Sequence, residues 1–209
     1  MNSNDVLGNV DVLDIEASGI EYDVPQGKIE KIPGLSTWSL DSAHTSAGFS
    51  VRHMMISNVR GEFRELSGTL QLDKQNIEQS SVNISIKTAS IESHEPTRDT
   101  HLKSADFFDV EKYPEITFHS TEWQNNNDDT LLVKGDLTMH GVTKEVVLKA
   151  EGPTEEVKDP WGGTRVGFSA KTKINRKDFG LGWNVILEAG GLAASEDVII
   201  TIDAAFVKQ

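Results

Sequence analysis

Residues 82–87 read Val82-Asn83-Ile84-Ser85-Ile86-Lys87, with branched apolar side chains on every even position and polar ones on every odd position. A period of two belongs to an extended strand with one face toward a core and the other toward water. The same period recurs in both directions along the chain. On the N-terminal side, Ala47, Phe49, Val51 and His53 alternate with Gly48, Ser50 and Arg52, which places His53 on the inward face. On the C-terminal side, Val166, Phe168, Ala170 and Ile174 oppose Arg165, Ser169, Lys171 and Lys173, and Val198, Ile200, Ile202, Ala204 and Phe206 repeat the pattern. Between Val59 and Leu72 the apolar positions change phase, from Val59 and Phe63 to Leu66, Leu70 and Leu72. A bulge that inserts one residue has that effect. With segments near 115–123, 130–139 and 142–151, the count reaches eight strands.

The separators are turn-forming. They are the cluster Asn125 to Asp129, the pair His140-Gly141 as a tight hairpin, and Asp159-Pro160-Trp161-Gly162-Gly163. Eight antiparallel strands joined mainly by short turns predict an all-β up-and-down barrel or a sandwich. Barrels of eight strands hold at most one small ligand, and a packed core and a lined cavity use the same residues, so periodicity leaves filled and hollow interiors open.

One stretch departs from the β pattern, Glu95 to Phe108, where Pro96 suits a first helical turn. Leu102, Ala105 and Phe108 recur at three-residue spacing, so one side of a short helix is expected to cap a barrel end while Arg98, Asp99 and Lys103 face outward or across the mouth. A second irregular stretch, Asn175 to Gly191, is glycine-rich and carries Phe179, Leu181, Trp183, Ile186 and Leu187, as a lid or lip would. Residues 1–35 hold seven acidic residues and two lysines, and read as an acidic extension ahead of a single domain over 36–209.

The chain of 209 residues carries 20 basic and 33 acidic residues, a net charge of −13, which speaks against a nucleic-acid partner. It has no cysteine, so disulfides, thiolate nucleophiles and cysteine zinc sites are excluded. The first basic residue is Lys28 and no apolar run of signal-peptide length precedes it, so a cytoplasmic location is expected. No run approaches the ~20 apolar residues of a membrane-spanning helix.

The six histidines, His44, His53, His94, His101, His119 and His140, form neither a His-x-His pair nor a His-Glu-x-x-His run, and no Gly-x-Ser-x-Gly elbow or phosphate loop is present. Neither a metal site nor a cofactor is expected. An inward His53 needs a polar partner and suits a contact that orients a ligand. The densest polar cluster, Thr97 to Lys103, gathers two cations, a carboxylate and an imidazole on a single helical turn, and reads either as a solvated cap or as a ligand contact.

Several segments in order resemble the YceI-like family of lipocalin-like, polyisoprenoid- and lipid-binding proteins. They are Asp41-Ser42-Ala43-His44-Thr45 leading to Phe49-x-Val51-x-His53; Gly61-Glu62-Phe63; Arg98-Asp99-x-His101-Leu102-Lys103-Ser104-x-Asp106-Phe107-Phe108-Asp109; Tyr113-Pro114-x-Ile116-Thr117-Phe118; Gly135-Asp136-Leu137-Thr138-x-x-Gly141-Val142-Thr143; and Asn175-Arg176-x-Asp178-Phe179-Gly180. The match spans about residues 37 to 208. The resemblance implies an eight-stranded antiparallel barrel with a small helix at one end. It also implies non-catalytic binding, transport or storage of a polyisoprenoid, isoprenoid quinone or fatty-acyl lipid inside it. By matching positions, Phe49, Val51, His53, Phe63, Phe118, Phe168 and Phe179 are expected to line or border the cavity, joined by Ile84 from the alternation of its strand, and Arg98, Asp99, His101 and Arg176 to orient a polar head group. The expected partner is this long-chain lipid, with a homodimer as a further expectation. Two other readings stay open at this point: an enzyme acting on such a lipid through His53 or His101, and a filled barrel acting through its acidic surface as a protein-interaction module.

Overall fold

The computed structural model describes residues 34–126, 128–185 and 193–209. The acidic extension, apart from its last two residues, and residues 186–192 of the lip lie outside the described residues. Twelve strands form one antiparallel sheet: β1 (Leu35–Leu40), β2 (Ser46–His53), β3 (Ser57–Phe63), β4 (Leu66–Asp73), β5 (Ser81–Lys87), β6 (Ile91–Glu92), β7 (Glu115–Asn125), β8 (Leu131–Met139), β9 (Val142–Glu151), β10 (Val157–Lys158), β11 (Thr164–Asn175) and β12 (Ala194–Lys208). The short strands are pieces of longer ones. β1 and β2 both pair with β12, at Trp38–Leu40 and Ser46–His53 respectively, so they form one strand broken by the 3-10 turn Ser42–His44. β3 continues into β4, and β5 into β6, in the same way. Counted as continuous strands, with two-residue β10 as an appendage of β11, these are the eight read from the sequence.

Closure comes from β11 and β12, paired without interruption from Arg165↔Val207 to Asn175↔Asp197. The ring then runs β11, β9, β8, β7, β5, β4, β1, β12 and back to β11. A closed sheet has no edge among its ring strands and divides side chains into an inside and an outside set.

The phase change before Leu66 has a local cause. Arg64 and Glu65 separate inward Phe63 from inward Leu66, and their amides both donate to the Ser90 Oγ, at 3.2 and 3.1 Å. Ser90 belongs to the 3-10 turn Thr88–Ser90, which breaks β5 from β6 at the same level. Both strands therefore kink together. The His140-Gly141 hairpin forms as its composition predicts, with φ of 52° and 74°, the doubly left-handed turn that matches strand twist.

The helix is shorter than the sequence predicts. α1 (Pro96–Lys103) begins under a Glu95 carboxylate that accepts from the amides of Thr97 and Arg98 at 3.1 and 2.6 Å. It stops at Ser104, beyond which Phe108 N donates to Leu102 O and Asp109 takes a left-handed φ of 45°. Ala105 is consequently exposed, not part of the capping face, whereas Leu102, Phe107 and Phe108 turn onto the barrel end.

The opposite end is solid. Trp38 is fully buried among Leu70, Leu72, Leu131 and Val166, and its indole N–H donates to Ser36 Oγ at 2.8 Å. Outside that end, Arg165 bridges Asp41, in the kink between β1 and β2, to Asp159 in the turn before β11. The Arg165 guanidinium holds the Asp41 carboxyl well below its ordinary range, at about 2.

Two outcomes are expected. Trp38→Ala leaves a void that the surrounding strands cannot close, and should cost about 3–5 kcal/mol in urea denaturation. A carboxylate held below its ordinary pKa stabilises the fold above that value and gives the stabilisation up as pH falls through the folded pKa. Stability measured against pH should therefore fall for the natural protein between 3.8 and about 2, and Asp41→Asn should lack that part of the decline.

Candidate functional site

The inward face is set by the alternation and the ring closure together. Between the Trp38 end and the α1 end it encloses a cavity of about 240 Å³ whose accessible wall is apolar throughout. Phe49, Val51, Phe63, Ile84, Phe118, Phe168 and Arg176 line it. Leu102, Phe107, Phe108 and Leu181 close it toward α1.

Two glycines explain how so many rings fit around an open lumen. A Cβ on Gly61 would lie 2.4 Å from the Phe49 ring, and one on Gly135 would lie 2.5 Å from the Phe118 ring. Each phenylalanine thus packs into the space that a side chain on the neighbouring strand would fill, which keeps it against the wall. Sequence reading notes both glycines only as parts of motifs; a glycine inside a strand is the available signal, since it marks a close approach. The remaining rings interlock: Phe49 with Phe63 at 6.1 Å, Phe63 with Phe108 at 5.9 Å, and Trp123 with Phe168 at 6.0 Å between centroids.

Five expected site residues sit elsewhere. His53 is exposed. It shares the parity of Phe49 and Val51, but it is the last residue of β2, at the barrel rim, in the hairpin with Ser57 where Met54 and Met55 turn left-handed. Arg98 and Asp99 are committed to Ser93. The Arg98 Nε donates to Ser93 Oγ and its Nη2 to Ser93 O, both at 2.7 Å, while Asp99 Oδ1 accepts from Ser93 N at 2.8 Å and from Ser93 Oγ. His101 forms an edge-on cluster with Phe107 and Trp183, at 5.0 and 4.7 Å, which ties α1 to the lip. Phe179 is buried in the core beneath that lip, its carbonyl 3.3 Å from His140 Nδ1, and does not border the lumen. Arg98, Asp99, His101 and Phe179 build the cap; the sequence motif shows that they act together without showing which way they face.

Three polar side chains reach the cavity wall: Thr45, Thr172 and Arg176. The Thr172 hydroxyl donates to Val147 O at 2.8 Å, and Thr45 Oγ1 accepts from Ala205 N at 3.1 Å. Arg176 follows β11 in the 3-10 turn Arg176–Phe179 and is only 4% exposed. Its Nε donates to Ser195 O, and its Nη1 to Leu181 O and Trp183 O, at 2.9, 2.5 and 2.8 Å. Burial pulls its pKa down, yet a guanidinium keeps its proton. Among the described residues no group of His, Asp and Glu side chains converges as a metal site would require, and no helix is long and apolar enough to cross a membrane.

Comparison with known proteins agrees with this architecture. The profile of the YceI-like domain matches residues 38–206. The UPF0312 protein plu2095 of Photorhabdus laumondii is 42% identical over 160 residues, 77% of this chain and 80% of the relative. The crystal structure of the Campylobacter jejuni YCEI protein superposes with a TM-score of 0.64 at 34% identity, covering 81% of this chain and 96% of that one. A polyisoprenoid binding domain from Saccharophagus degradans, implicated in plant cell wall breakdown, shares the fold at a TM-score of 0.59 and 16% identity, over 82% of this chain and 98% of its own.

The glycine-to-ring packing is directly testable. Gly135→Ala sets a methyl against Phe118 and the His119 carbonyl, and should cost about 1–3 kcal/mol in chemical denaturation. Gly182→Ala, whose methyl meets open space, should stay within about 0.5 kcal/mol.

Proposed function

The chain belongs to the YceI-like domain family, and from that premise we propose that it binds one long-chain amphiphile in its barrel, to carry or store it without chemical change. The ligand class is a polyisoprenoid, an isoprenoid quinone or a fatty-acyl lipid. The observation that carries this reading is the cavity inside the barrel, whose accessible wall is apolar. Such a space has little to offer a polar metabolite, whose hydrogen bonds to water would go unreplaced. It suits a hydrocarbon chain, which gains roughly 25 cal/mol for each Å² of apolar surface withdrawn from water before the costs of association are subtracted. The polyisoprenoid binding domain of Saccharophagus degradans has the same fold, which supports the ligand class by analogy of architecture.

A carrier role in preference to a catalytic one is supported by the lining itself. It contains no histidine, carboxylate, serine or lysine, the side chains that most often move protons or attack a substrate. Phe49, Val51, Phe63, Ile84, Phe118 and Phe168 are proposed to contact the chain. Affinity then rests on how much of the chain is enclosed, and discrimination on its length and branching.

Native mass spectrometry of the purified protein, followed by solvent extraction, should reveal a stoichiometric long-chain lipid. Phe168→Asp, which places a carboxylate against the lumen, should lower the affinity for a fluorescent fatty acid by at least ~10-fold, equivalent to about 1.4 kcal/mol. The milder Phe168→Ala should weaken it less. A protein that is empty as isolated and takes up neither isoprenoids nor fatty acids would exclude this function.

A further inference from the structure

Two side chains on the wall of the apolar lumen keep a buried donor without a partner, the Trp123 indole and the Arg176 guanidinium, and only the second is charged. The Arg176 guanidinium spends Nε and Nη1 on three backbone carbonyls, but its Nη2 is buried and has no hydrogen-bond partner. Nor is the cation matched by a contacting counter-ion among the described residues. Among the described residues no carboxylate lies within ion-pair distance of it, and the carboxylate that acts on it from further away, Glu196, is already paired with Lys177 at 2.5 Å. A buried unpaired donor costs about 1–3 kcal/mol, and a buried charge without a partner costs more. The side chain is fixed by its three carbonyl bonds, so it cannot turn to water to recover this.

We infer that Arg176 is the head-group site of the barrel, and that it selects amphiphiles ending in an anionic oxygen, a carboxylate or a phosphate. This rests on the lipid-binding reading above and makes it specific. The guanidinium is at the α1 end of the lumen, beside Leu181 of the lip, while Trp38 and its neighbours close the other end. The chain therefore lies with its charged end under the cap and its tail toward Trp38. The other charged groups expected to orient a head are already engaged, since Arg98 and Asp99 are consumed by Ser93, and His101 is packed between two rings. An oxygen anion suits the free Nη2 better than a neutral carbonyl or hydroxyl does, because it adds the attraction of opposite charges in a low-dielectric interior to the hydrogen bond. A buried anion there also supplies the missing counter-charge.

Ligands of one chain length can be compared on the natural protein, so no variant has to fold for the first readout. Delipidated protein is titrated with palmitate, methyl palmitate and hexadecanol, and in a second series with farnesyl phosphate and farnesol. Each anion should bind at least ~10-fold more tightly than its neutral counterparts, as a single charge-assisted bond predicts. A preference in the first series alone assigns the site to carboxylates, and in the second alone to phosphates. The carboxyl carbon of labelled palmitate should titrate at lower pH when bound than when free, since the guanidinium favours the ionised form. Arg176→Gln should abolish the preference while hexadecanol still binds. Equal affinity for charged and neutral ligands overturns the assignment and leaves lipid binding intact. A preference that survives in folded Arg176→Gln also overturns it, by placing the anion site elsewhere. Failure of every ligand to bind removes the lipid reading as well.

Discussion

The uninterrupted pairing of β11 with β12 makes the rest of this molecule possible. It joins residues 165–175 to residues 197–207 and turns a long sheet into a closed one. In an open sheet the apolar face would need a second layer to cover it; here the sheet covers itself. Phe168, Ala170 and Ile174 on one strand, and Val198, Ile200 and Ala204 on the other, complete a wall that begins with Phe49 and Val51. The lysines and carboxylates of the ring strands are left to the outside, where pairs such as Lys173–Asp197 and Lys134–Glu122 lie across neighbouring strands. Such exposed pairs contribute little to stability, so the fold rests chiefly on the backbone ladder and the buried apolar set.

The interior is divided by side-chain size and not by backbone. At one end Trp38, Leu72, Leu131 and Val166 fill the cross-section. Above them the rings withdraw to the wall, Phe49 over Gly61 and Phe118 over Gly135, and the middle stays empty. At the other end α1 and the lip are joined by the His101, Phe107 and Trp183 cluster. A barrel with a solid floor, a lined middle and a lid held by side-chain contacts fits the proposed binding of one elongated molecule, and the placement of Arg176 beside the lid fits the proposed polar end.

Much of the fold is written in the period-two pattern. The eight strands, the kink before Leu66, the His140-Gly141 hairpin and the helix start at Pro96 all follow from local rules, because strand alternation, turn chemistry and capping act over a few residues. The helix end does not: Ala105 continues the apolar spacing of Leu102, yet the chain leaves the helix at Ser104, since Phe107 and Phe108 gain more by turning onto the barrel than the helix gains by another turn. His53 fails for a related reason. Parity gives the face of a strand, but not how far along that strand the opposite wall reaches.

Spacing and residue order were therefore enough to establish the class of fold, the inward identity of Phe49, Val51, Phe63, Ile84, Phe118 and Phe168, and the family to which the chain belongs. Three further points needed the contacts of the folded chain: that the barrel is hollow, that Arg98, Asp99 and His101 serve the cap, and that Arg176 keeps an unanswered donor in the apolar interior. Hollowness and hydrogen-bond saturation depend on what lies across a space from a side chain, and residues that face one another across a barrel are far apart in sequence with no periodicity connecting them.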